Sequence, residues 1–183
     1  VMNVKFGDAF GLVFPSIPLQ HSAEIVCANA LRIAWEEIVP PEKLHYIFGN
    51  PPFVGHQWRN AEQQNDMLHV YKDGGNFGKL DYVCCWYHKA IEFIGRAAIK
   101  VAFVSTNSIA QGESVSIMWK PIFEQGFEIF FAHVPFVWSN EARGKAAVHC
   151  VIVGIAQAGS SKVKHIYAQD GVAEIKNING YLL

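Results

Sequence analysis

Asn50, Pro51, Pro52 and Phe53 follow directly on the apolar run His45-Tyr46-Ile47-Phe48-Gly49, and together they suit one chemical task. An amine conjugated to an aromatic ring is a poor nucleophile because its lone pair is delocalised. The Asn50 side-chain oxygen and the Pro51 carbonyl can each accept one N–H bond from such an amine, drawing the nitrogen toward tetrahedral geometry and exposing its lone pair. The two prolines fix φ and donate no backbone hydrogen bond, so the carbonyls stay where the strand end leaves them. Phe53 offers an aromatic face on which an extruded base can stack. Set against the sulfonium methyl of S-adenosylmethionine, these residues need no ionised general base and no metal.

Gly-Asn-Pro-Pro is also the composition of an ordinary strand-ending turn, so the surrounding elements decide. Tyr46 to Phe48 read as a buried parallel strand, and the carboxyl end of such a strand is where open α/β sheets bind ligands. Glu24-Ile25-Val26-Cys27 read as a short strand before it, after an irregular lead-in over Val1 to Gln20. The polar stretch from Gly55 to Gly78 is long for a passive connection and is expected to be a mobile active-site loop with a short helix. Its Gly74-Gly75 pair follows no strand, so it is flexible-loop glycine and not a nucleotide loop.

Leu80, Val83, Cys84, Tyr87, Ile91 and Ile94 fall at helical spacing and Gly95 supplies a stop. Val101-Ala102-Phe103-Val104 form a continuous apolar strand, the pattern of a sheet covered by helices on both faces. Val115, Met118, Trp119, Ile122 and Phe123 make a second helical stripe, in which Pro121 predicts a kink or two short helices. Phe127 to Ala132 and Ala147 to Ile155 are strands with no long helix between them, and should pair antiparallel. The expected fold is therefore α/β, with a mostly parallel sheet ending in an antiparallel hairpin.

Five segments, in order along nearly the whole chain, resemble one family. They are Asn29-Ala30-Leu31-Arg32 with Trp35; Gly49 through Gly55; Leu80-Asp81-Tyr82-Val83 with Trp86-Tyr87; Ser105-Thr106-Asn107-Ser108-Ile109; and Phe131-Ala132-His133 through Phe136-Val137-Trp138-Ser139-Asn140-Glu141-Ala142. The family is the N6-adenine DNA methyltransferase region of large fused restriction–modification enzymes, the MmeI-like group. The resemblance implies a class I, Rossmann-like methyltransferase sheet and methyl transfer from S-adenosylmethionine to adenine N6 in double-stranded DNA. It makes Asn50, Pro51, Pro52 and Phe53 the catalytic set. It also assigns Asn29 and Asp81 to the cofactor, and Phe136, Trp138 and Asn140 to the target base. Asn29 is equally a turn residue, Asp81 suits a first helical turn on dipole grounds alone, and strand-end aromatics also serve as core.

The family's Phe-x-Gly-x-Gly cofactor loop, and the acidic residue that would hold the ribose, have no counterpart here. The resemblance therefore describes residues 1–158 as a partial catalytic domain and residues 159–183 as a tail leading toward an absent target-recognition domain. The isolated chain is expected to bind S-adenosylmethionine weakly or not at all, and to self-associate through an uncovered sheet edge. Two other readings stay open: a catalytically silent remnant serving as a structural or DNA-associated module, and an RNA or protein-glutamine methyltransferase.

Composition agrees with a single core. Of 183 residues 51% are hydrophobic, enough to bury one sizeable core, and the formal net charge of −1 gives no basic footprint for gripping DNA unaided. Four cysteines and eight histidines show neither a disulfide framework nor metal-ligand spacing, which points to a reducing cytoplasm and no metal, and the resemblance implies that this cytoplasm is bacterial or archaeal. No apolar run is long enough to span a membrane.

Overall fold

A computed structural model of the protein describes residues 23–72, 76–138 and 148–183. Six strands form one sheet: Tyr46–Gly49 (β1), Lys100–Thr106 (β2), Phe127–Trp138 (β3), Val148–Gln157 (β4), Lys164–Ala168 (β5) and Gly171–Ile175 (β6). Their spatial order is β1-β2-β4-β3-β5-β6. β1 pairs parallel with β2, and β3 with β5, whereas β2–β4, β3–β4 and β5–β6 are antiparallel. The α/β class and the antiparallel β3–β4 hairpin are those expected from the sequence.

Among the described residues three α-helices accompany the sheet: Ala61–Val70 (α1), Cys84–Ile94 (α2) and Gly112–Glu124 (α3). A parallel pair needs a crossover, and the polypeptide between β1 and β2 carries α1 and α2. α2 buries Tyr87, Ile91 and Ile94 and ends at Gly95, whose φ of 51° is costly for any residue with a Cβ. The polar stretch after the motif carries the short helix expected of it. Asn60 caps α1 by accepting from the Gln63 amide while the Gln63 side chain accepts from the Asn60 amide, both at 2.9 Å, a reciprocal capping box.

Four expectations are corrected. Glu24 to Cys27 form no strand, and Ile25 and Val26 are exposed: the segment has no sheet neighbour among the described residues, so its apolar content finds no ladder. Pro121 neither kinks α3 into two helices nor ends it early. It falls in the last turn before Gly126 (φ 85°), where little helix remains to be disrupted. In β2, Val101, Phe103 and Ser105 are buried while Ala102 and Val104 are half-covered, so the continuous apolar run is not covered equally on both faces. Finally, residues 159–183 are not a free tail. β5 pairs with β3, Ile178 and Leu182 are buried, and Gly180 approaches Trp119 so closely that an added Cβ would lie 2.7 Å from its ring. An ion pair at 2.8 Å between buried Lys164 and half-buried Glu128 ties β5 down further.

The lead-in over Val1 to Gln20, the Gly74-Gly75 pair, Asn140 and Glu141 lie outside the described residues.

Candidate functional site

The motif loop leaves the sheet at the carboxyl end of β1, where Gly49 is in register with Phe103 of β2. Asn50 is exposed, Pro51 buried, Pro52 exposed and Phe53 half-buried against the core. Neither the Asn50 side chain nor the Pro51 carbonyl has a hydrogen-bond partner among the described residues. The next residue, Val54, is bonded through both of its backbone polar groups: its N–H donates to Asp81 Oδ1 at 3.0 Å, and its carbonyl accepts from the Tyr82 amide at 3.0 Å. A turn closed by the Trp58 amide donating to the Gly55 carbonyl at 2.8 Å then leaves the Trp58 ring exposed.

Asp81 does not face open space. Its carboxylate also accepts the Val83 amide at 3.1 Å and the Thr106 hydroxyl, from the end of β2, at 3.0 Å. Asn29 is engaged in the same way. Its Nδ2 donates to Asp66 Oδ2 at 3.1 Å and its Oδ1 accepts the Leu31 amide at 2.9 Å.

Asp66, on the inner face of α1, is the residue that reading the sequence missed. It is 4% exposed and also accepts from Arg32 Nε at 2.5 Å and the Tyr82 hydroxyl at 2.6 Å. Burial alone would raise its carboxyl, but hydrogen bonds from Tyr82, Arg32 and Asn29, with the Arg32 charge, outweigh that and hold it below the usual carboxylate value. Lys89 was missed too: its Nζ donates to the carbonyls of Leu31 (3.0 Å) and Ile33 (2.6 Å). With Trp35 Nε1 bonded to the Ala30 carbonyl at 2.8 Å, the segment from Asn29 to Trp35 is fixed to α1 and α2. Local sequence offers no signal for this, because each partner lies tens of residues away.

Register carries Phe136 and Trp138 to the same end of the sheet as the motif. Thr106, the last residue of β2, is opposite Cys150, and Cys150 is opposite Phe136 in β3, with Trp138 paired to Val148 just beyond. β3 is irregular between Ile129 and Phe131 and between His133 and Phe136, and the second irregularity accommodates Pro135, which could not sit in a regular ladder. Past the second of these, His133, Phe136 and Trp138 form an aromatic series with centroid separations of 4.9 and 6.2 Å. They are strand residues rather than loop residues.

Other chemistries find little support. Burial pushes the Cys85 thiol up to about 12 and raises Cys84 and Cys150, so none is a thiolate nucleophile at neutral pH. Among the described residues no three His, Cys, Asp or Glu side chains could share a metal ion, and no helix is long and apolar enough to cross a membrane. A cavity of about 550 Å³ lies between α2 and α3, lined by Tyr71, His88, Ile91 and Pro121 among others. None of its lining residues belongs to the motif loop or the sheet, so it is not the site described above.

A family profile described as "MmeI, DNA-methyltransferase domain" matches residues 1–168. The chain belongs to this family. DNA methyltransferase A of Bacillus subtilis (strain 168) is 39% identical over 177 residues, 96% of this chain and 20% of that protein. A solved structure of the Type IIL restriction–modification enzyme MmeI in complex with DNA is similar with a TM-score of 0.85 at 44% identity, over 100% of this chain and 25% of that one. The chain thus spans no more than a quarter of the length of these two relatives.

Proposed function

We propose that the protein carrying this chain methylates adenine at N6 in double-stranded DNA as part of a restriction–modification system. The observation that carries the proposal is the pair of unengaged acceptors, Asn50 Oδ1 and the Pro51 carbonyl, on a proline-stiffened turn at the carboxyl end of β1. An exocyclic amine has two N–H donors, and two adjacent acceptors orient both at once. The lone pair is then directed away from the acceptors, and the positive charge that develops on nitrogen during attack is stabilised by the same two oxygens. S-adenosylmethionine would supply the electrophilic methyl when bound: as the N–C bond forms the sulfonium S–C bond breaks, the neutral thioether leaves, and the amine's surplus proton passes to solvent.

Phe53 stacks on the extruded base, and the exposed end of the Phe136–Trp138 series forms a second aromatic wall at the same sheet end. Asn29 and Asp81 act in this reading through the backbone they hold, since their side chains are occupied by protein partners. The test is to incubate the full-length protein with DNA and methyl-labelled S-adenosylmethionine and to separate the nucleosides. Label in N6-methyladenine is expected. Label in cytosine, in RNA or in protein glutamine, or no transfer at all despite DNA binding, overturns the proposal in favour of a different substrate or a silent module.

A further inference from the structure

Asp81 collects donors from three separate stretches of chain. Its carboxylate is 6% exposed; Oδ1 accepts the Val54 and Val83 amides and Oδ2 accepts the Thr106 hydroxyl, all at 3.0 to 3.1 Å. A carboxylate has about four lone-pair positions, so three protein donors on a buried one leave little for a ligand. What the bonds do is mechanical. The motif loop is fixed upstream where Gly49 joins the β1–β2 ladder, and downstream where Val54 is held by Asp81 and the Tyr82 amide. Between these anchors lie only Asn50, Pro51, Pro52 and Phe53, and both prolines have φ fixed by their rings. The Thr106 bond ties the downstream anchor to the end of β2, the strand beside β1. The direction of the Asn50 side chain and the Pro51 carbonyl is thereby set from both sides.

We infer that Asp81 is a positioning residue for methyl transfer, holding Val54 against the end of β2 and so aiming the two amine acceptors, and that it is not a ligand of the methyl donor. The inference rests on the assignment of Asn50 and Pro51 as those acceptors. Variants separate the two ideas. Asp81→Asn keeps an oxygen for the Val54 and Val83 amides and can donate to the Thr106 oxygen from its nitrogen, so the clamp survives without its charge. Asp81→Ala removes every bond. Thr106→Val removes the link to β2 together with the Thr106–Ser108 hydroxyl contact at 2.5 Å, at nearly constant volume, and Ser108→Ala, which removes that contact alone, is its control.

The measurements are single-turnover methyl transfer at saturating DNA and S-adenosylmethionine, and calorimetric binding of S-adenosylmethionine, all in the full-length protein with Asn50→Ala alongside. Misaligned acceptors should lower the transfer rate of Asp81→Ala by ~10²-fold, while S-adenosylmethionine affinity stays within about twofold. Asp81→Asn should recover to within about tenfold of the parent, and Thr106→Val should be slower than the parent with unchanged cofactor affinity. Equal weakening of cofactor binding in Asp81→Asn and Asp81→Ala makes Asp81 a ligand and overturns the inference, as does a parental rate in Asp81→Ala. If Asp81→Ala does not fold, Thr106→Val decides: a slower rate at constant cofactor affinity upholds the clamp, and a parental rate overturns it. An active Asn50→Ala variant instead removes the acceptor assignment, whatever the Asp81 variants do.

Discussion

Truncating Asn50 to alanine in the full-length protein separates chemistry from folding more cleanly than any other change in the site. The side chain is exposed and has no partner among the described residues, so its loss breaks no internal hydrogen bond and opens no cavity. The expected change in stability is that of a neutral surface substitution, within about 0.5 kcal/mol. The kinetic cost is of another order. In the proposed reaction Asn50 Oδ1 is one of two oriented acceptors, and removing one such transition-state hydrogen bond costs about 2.7 to 4 kcal/mol. At 1.36 kcal/mol per decade that is a fall of about 10²- to 10³-fold in kcat. Because the bond acts on the nitrogen as it attacks, the KM for S-adenosylmethionine should hardly move. The assay is incorporation of tritiated methyl into target-site DNA at saturating substrates, with a thermal unfolding curve on the same preparation. Turnover within about threefold of the parent removes Asn50 from the chemistry. Lost turnover accompanied by a large fall in melting temperature places Asn50 in the fold instead.

Phe53→Ala should reduce base extrusion, followed with 2-aminopurine at the target position, whereas Phe53→Tyr and Phe53→Trp should retain it, since stacking contributes about 1 to 3 kcal/mol per base and tolerates different rings; an unchanged fluorescence rise in the alanine variant refutes the stacking role. Asp66 has a lowered folded-state pKa, so its contribution to stability is present above the unfolded value of about 3.9 and is lost as pH falls through the lower folded value. Asp66→Asn should therefore cost about 1 to 3 kcal/mol at neutral pH, less as the pH drops below 4, and a chemical denaturation series that shows no such convergence in acid refutes the assignment. Among the described residues β1 has a strand neighbour on one side only, Tyr46 is 65% and Phe48 81% exposed, and an apolar edge strand templates pairing with another copy. The 183-residue chain should self-associate in light scattering and Phe48→Lys should reduce this; a strictly monomeric parent chain sinks the prediction.

The parts of the fold that could be read from the sequence were those governed by local rules. Helix α2 announced itself through Leu80 to Ile94 at helical spacing and Gly95 as a stop, and β4 through the apolar stretch Ala147 to Ile155. The motif strand and its turn were legible because Gly49-Asn50-Pro51-Pro52 couples an apolar run to residues with few backbone options. Errors arose where a distant neighbour decides. Glu24 to Cys27 look like a strand and have no partner strand among the described residues. Lys164 to Ala168 look like part of a polar tail, yet find β3 as a partner and a half-buried Glu128 for their lysine. Pro121 was overweighted because a proline's effect depends on how much helix follows it, and here very little does.

The same distinction separates the types of the site residues from their roles. Asn29 and Asp81 were recognisable as polar residues in a functional setting, but the direction a side chain faces depends on closures the sequence does not display. Asp81 meets Val54 across 27 residues and Thr106 across 25, while Asn29 meets Asp66 across 37. These closures share a hinge point. Tyr82 donates its hydroxyl to Asp66 and its amide to Val54, next to the Asp81 carboxylate that holds the Val54 amide. One pair of consecutive residues thus joins the Asn29–Trp35 segment and α1 on one side to the motif loop and β2 on the other. If this junction braces the acceptors, Asp66→Asn and Thr106→Val should not be independent in methyl-transfer rate, although they touch different carboxylates. A double-mutant cycle on the single-turnover rate measures this: a coupling free energy above about 0.5 kcal/mol supports a shared brace, and additivity within that limit shows two separate supports.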